Sequence, residues 1–149
     1  GKVLQVQQVQ TSTDTTISGS TFTDVGGLTI DITPISSTSK FFITCDVAFR
    51  LSTTSNNNEP NSNLRFTKGG SALFTEVSWG GFSMRQESQR TDTFLLVRDS
   101  RQFLDSSASH TAGNSVNFKV QACTEGSTES LAFNESNINS RFQVLEIEA

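Results

Sequence analysis

The stretch KFFITCDVAFRL, Lys40 to Leu51, decides the fold. Phe41, Ile43, Cys45, Val47, Phe49 and Leu51 fall at every second position, with Thr44, Asp46 and Arg50 between them. An extended backbone sends the first set to one face and the second to the other. A helix, with its period of 3.6, would scatter the same six apolar groups around its circumference. Phe, Val, Ile and Thr also favour strands. Burying each of the six is worth about 1.5–3 kcal/mol before chain entropy is subtracted. A register this clean fixes which face of its sheet is the core.

Working outward, the same alternation recurs in weaker form. Leu28, Ile30 and Ile32 alternate with Thr29, Asp31 and Thr33 up to Pro34, which ends the strand because proline cannot donate to a ladder. Gly26-Gly27 reads as a turn ahead of it. Lys2 to Gln10 is a glutamine-rich strand suited to an edge or subunit boundary, with Val3, Leu4, Val6 and Val9 as its apolar members. Leu64 to Lys68, Val116 to Ala122 and Phe142 to Ile147 complete the clear strands. Phe94, Leu95, Leu96 and Val97 are apolar on both faces. They are therefore either covered on both sides or set against another subunit. The polar segments Ser52–Asn63, Asp99–Asn114 and Thr124–Ser140 are loops. The fold class expected is all-β: an antiparallel β-sandwich or jelly roll of about eight to ten strands, in one domain spanning residues 1–149. No segment reads as a convincing helix.

Composition narrows the function. Serine, threonine and asparagine make up about a third of the chain, which suits strands and turns. The net charge is -4, and the eleven basic residues are scattered singly. Nucleic-acid binding needs clustered Lys and Arg, so that class is not expected. No apolar run is long enough to cross a bilayer, and membrane insertion is not expected either. The chain opens on Gly1 rather than Met, which suggests a segment before it. Cys45 belongs to the core face of the opening strand, whereas Cys123 has the parity opposite to Val116, Phe118, Val120 and Ala122. The two sulfurs are expected to face different sides and to remain free thiols.

Chemistry is sparse. His110 stands in a Ser- and Ala-rich loop without a second His, and reads as a solvated loop residue. The carboxylates show no calcium-loop spacing. No catalytic residue, cofactor or metal is expected, and the chain is not read as an enzyme. Trp79, flanked by Gly80-Gly81, could stack on a sugar face or belong to the core or an interface. Candidate ligand contacts in the exposed regions are Asn56, Asn57, Asn58, Trp79, Asp105 and His110. Candidate interface residues are Val3, Leu4, Phe94, Leu95, Leu96 and Val97.

The opening GKVLQ (Gly1–Gln5), the stretch FTDVGGLTIDITP (Phe22–Pro34) and the closing FQVLEIEA (Phe142–Ala149) resemble a family of domains in phage structural proteins. The similarity covers the first third and the last strand. It implies a jelly-roll domain forming the C-terminal head of a homotrimeric tail fibre or spike, preceded by a stalk or anchor and acting in host adhesion. The alternative implied is a capsid or tail decoration protein that stabilises the particle without binding a receptor. The partners implied are further copies of the chain, other virion structural proteins and a host cell-surface glycan or protein. The location implied is the virion, assembled in the host cytoplasm. The family motif carries no catalytic residue.

Overall fold

The computed structural model describes residues 1–54, 61–73, 82–85 and 93–149, with backbone alone for 82–85 and 93–95. Among the described residues eleven strands run in chain order: β1 (Val3–Thr11), β2 (Thr15–Ile17), β3 (Thr23–Ile32), β4 (Lys40–Thr53), β5 (Asn61–Lys68), β6 (Ser71–Ala72), β7 (Phe82–Arg85), β8 (Thr93–Asp105), β9 (Val116–Thr124), β10 (Glu129–Phe133) and β11 (Ser140–Ile147). The only helical feature among the described residues is a single 3-10 turn at Glu135–Asn137. The expected all-β sandwich is what forms: two antiparallel sheets packed face to face.

The strand around Lys40–Leu51 is the axis of sheet A. β8 pairs with β4 along its whole length, while β11 and β10 share its other side end to end. β1 lies outside β11, and β2 outside β10. Sheet B runs β3-β9-β5, with β6 and β7 both beyond β5. All six odd-numbered residues from Phe41 to Leu51 are buried, as their alternation requires. Across the sandwich Phe41 meets Phe118 with ring centroids 5.0 Å apart, and Phe66 stacks on Phe142 at 6.0 Å. Within sheet A Phe49 meets Phe133 at 5.4 Å. Offset and tilted contacts of this kind add to plain area burial.

Gly69-Gly70 turns the β5–β6 hairpin, with both residues at positive φ. Gly26-Gly27 does not turn the chain. It forms a bulge inside one continuous strand β3, where the register against β9 shifts between Asp24 and Thr29. Gly27 has φ +77°, and a Cβ there would run into the Thr11 side chain. The glycine pair lets β3 bend past β1 while its pairing with β9 resumes. Cys45 and Cys123 are both free and both buried, so the expectation of two thiols holds.

Candidate functional site

Two features stand out: a buried polar cluster at one end of the sandwich, and the outer face of sheet A.

The cluster is built on charges at core-facing positions. Lys68 follows Leu64 and Phe66 on the inward parity of β5, and its ammonium is buried where β8 ends. It donates to Asp105 Oδ2 at 2.7 Å, to the Ser107 carbonyl at 3.4 Å and to His110 Nδ1 at 3.4 Å. An ammonium has three protons, and all three are used. His110 Nδ1 is therefore an acceptor, and its Nε2–H donates to the Ser36 carbonyl at 3.0 Å. The ring lies edge-on to Phe41 at 4.8 Å. Ser39 Oγ is within 3.2 Å of His110 Nε2 and donates to Glu146 Oε1 at 2.6 Å. Glu146 shares the inward parity of Phe142 and Val144. It also accepts from Gln5 Nε2 at 2.6 Å and from the Ile35 and Ser36 amides at 2.8 and 3.1 Å.

Burial alone would raise the carboxyl of Asp105, but the Lys68 ammonium and the Ser107 hydroxyl and amide outweigh it and hold the group below its ordinary range. Burial works against Glu146 in the same way, and its hydrogen bonds from Ser39, Gln5, Ile35 and Ser36 win. At Cys45 burial outweighs the hydrogen bond from the Arg101 backbone and drives the thiol up to about 12. At the far end of the sandwich Glu129 does similar work, accepting from the Glu125 amide at 3.0 Å.

Serine, histidine and aspartate meet here, yet the arrangement is not that of a nucleophile and base. Ser39 is 1% exposed, its hydroxyl is held between the Glu146 carboxylate and the Ser36 carbonyl, and Lys68 stands between His110 and Asp105. The cluster ties β5, β8, β11, β1 and the links before β4 and β9 into one knot.

The expected ligand contacts thus need correction. Asp105 is not an exposed loop residue: it closes β8, 4% exposed, with its carboxylate engaged by Lys68 and Ser107. His110 is not a solvated histidine but an inward-turned anchor for its loop. Asn56, Asn57, Asn58 and Trp79 lie outside the described residues. Of the expected interface residues, Val3 is exposed, Leu4 is half-buried at the bulge between Val3 and Gln5, and Leu96 is 64% exposed. Val97 packs partly against the core. For Phe94 and Leu95 the structure gives only their place in β8, opposite Ser52 and Leu51. Lys68, Ser39 and Glu146 were not singled out from the sequence, although inward parity beside Phe66 and Val144 marks two of them.

The outer face of sheet A is ordered in rows across four strands. Leu104, Phe42, Leu145 and Val6 are direct cross-strand neighbours on β8, β4, β11 and β1. Val6 is 48% and Leu104 49% exposed, and Val3 adds to the same end. The next row is Gln102, Thr44, Gln143 and Gln8, followed by Ser100, Asp46, Arg141 and Gln10. These polar rows line a shallow trough of about 530 Å³. A second recess of about 390 Å³ lies between Leu96, Ala48, Ala132 and Ile138, bordered by the Arg50–Glu135 ion pair.

No group of three or more His, Cys, Asp or Glu side chains able to hold a metal occurs among the described residues. No helix among them is long and apolar enough to cross a membrane. No protein-family model and no curated protein matches the chain.

Proposed function

We propose that this chain is a structural domain of a bacteriophage virion, the head of a homotrimeric tail fibre or spike that serves in host adhesion. The observation that carries the reading is the apolar row Val6–Leu145–Phe42–Leu104 with Val3 beside it. It lies on a sheet face that has no covering layer among the described residues. Contiguous apolar surface rimmed by polar rows is what a contact with further subunits needs. Two further features support the reading. One end of the sandwich is closed by the buried Lys68–Asp105 ion pair and the Glu146 carboxylate and the other by the buried Glu129 carboxylate, which suits a rigid building block, and the one Ser–His–Asp grouping is spent on anchoring. The motifs at Gly1–Gln5, Phe22–Pro34 and Phe142–Ala149 supply the virion and adhesion parts of the proposal. Three modest receptor sites held together would gain avidity without a tight single site.

The test is Val6→Lys, which puts a charge into the row without touching the core. The expected result is loss of the trimer, with the strand signal in circular dichroism unchanged. A trimer unaffected by Val6→Lys contradicts this contact. A chain that is monomeric alone but binds purified virions lacking it would instead favour the decoration role.

A further inference from the structure

Among the described residues β8 is an edge of sheet A. β4 covers one side of it over thirteen consecutive pairs without a register shift, and no other strand pairs with it among the described residues. Alternate residues of such a strand turn N–H and C=O away from the partner, so its outer side offers a row of main-chain groups that no strand among the described residues takes up. Edges of this length are commonly broken by a proline or a bulge, and β8 has neither.

The sequence of β8 is its own complement. When two copies run antiparallel about a two-fold axis at Ser100, Asp99 falls opposite Arg101 of the second copy, and Arg101 opposite its Asp99. In the same register Leu96 falls opposite Leu104 of the second copy, Val97 opposite Phe103, and Arg98 opposite Gln102. Leu96 and Leu104, 64% and 49% exposed, thereby become cross-strand neighbours. Within one chain Arg101 Nε already sits 2.7 Å from Asp99 Oδ2, so the pair of copies would hold an alternating set of four charges. Moving the axis by one residue removes the match. At Asp99 it sets two aspartates face to face, and at Arg101 two arginines, each destabilising.

We propose that β8 is a homotypic docking edge, on which a second copy of this chain adds its own β8 in the Ser100-centred register and joins the two A sheets into one. This goes beyond the virion reading and uses main-chain groups that the apolar row leaves free. The apolar row is also extended by it, since Leu96 of the second copy lies next to Leu104.

Ser100→Cys tests the register. Its two copies would stand roughly 4.5–5.5 Å apart between Cα atoms, within disulfide range. Cys45 and Cys123 are buried and do not compete. The expected result under mild copper-phenanthroline oxidation is near-complete conversion to a disulfide-linked pair of chains. Arg98→Cys would put its two copies about 13 Å apart, four residues along the strand, and is expected to stay unlinked. Asp99→Arg is expected to weaken pairing at least tenfold, and Asp99→Arg with Arg101→Asp to restore it. Absence of the Ser100→Cys link, or equal linking by Ser100→Cys and Arg98→Cys, overturns the proposal. A trimer that Ser100→Cys does not link sinks the edge pairing and leaves the three-fold reading standing. A two-chain particle linked through Ser100→Cys does the reverse.

Discussion

Lys68 is the residue on which one end of the sandwich depends. Its ammonium is buried with the Asp105 carboxylate, and all three of its protons are taken. Lys68→Met would strand a buried carboxylate and an unpaired Nδ1, and is expected to cost about 3–5 kcal/mol in denaturant unfolding. Lys68→Met with Asp105→Leu should recover most of that loss, because an apolar pair of similar volume avoids the desolvation of both ions. Acid should act through the carboxylates. The folded forms of Asp105 and Glu146 both titrate below their ordinary range. Their contribution is therefore present above the unfolded values near pH 4 and disappears as pH falls through the lower folded values. Unfolding midpoints measured from pH 6 down to pH 2.5 should fall steeply below about pH 4. Glu146→Gln should show a shallower fall over the same range. None of this was apparent from residue types alone. Asp105 and His110 looked like surface groups because the segment around them is rich in Ser and Ala. The parity of Asp105 with Phe103, and of Lys68 with Phe66, pointed inward instead, whereas His110 lies in a loop that no strand parity reaches.

At the scale of elements, β4 carries the fold and was the most legible part of it. Its alternation is dictated by a sheet with one buried face, and all six inward residues are buried as the pattern demands. Phe41→Ala would empty the contact between Phe118 and the His110 ring, and is expected to cost about 3–5 kcal/mol. β3 was legible in part. Leu28, Ile30 and Ile32 gave the strand, but Gly26-Gly27 reads the same for a turn and for a bulge, and only the partner strands decide between them. Gly27→Ala is expected to cost about 1–3 kcal/mol, since an L-residue is strained at φ +77° and its Cβ would displace Thr11. Thermal unfolding of that variant checks the bulge, and an unchanged midpoint would contradict it. The apolar run in β8 was recognisable as unusual. Which of its sides lies against β4 depends on pairings between residues far apart in the chain, which local pattern does not encode.

For the whole molecule, the sandwich leaves one broad face and one long edge of the same sheet without a partner among the described residues. The face is apolar at the end where Val6, Leu145, Phe42 and Leu104 line up, and the edge is self-complementary around Ser100. An association surface of this kind could not be drawn from the sequence. The row joins four strands from four separate parts of the chain, and each contributes a single residue that looks ordinary in its own segment. Three-fold packing of the face gives a three-chain particle, and edge pairing in addition gives six. The most direct measurement is the mass of the purified chain in solution by light scattering across a hundredfold range of concentration. The account predicts three or six times the 16.2 kDa of one chain. A particle of one or two chains that persists to the highest concentration would contradict three-fold association through this face.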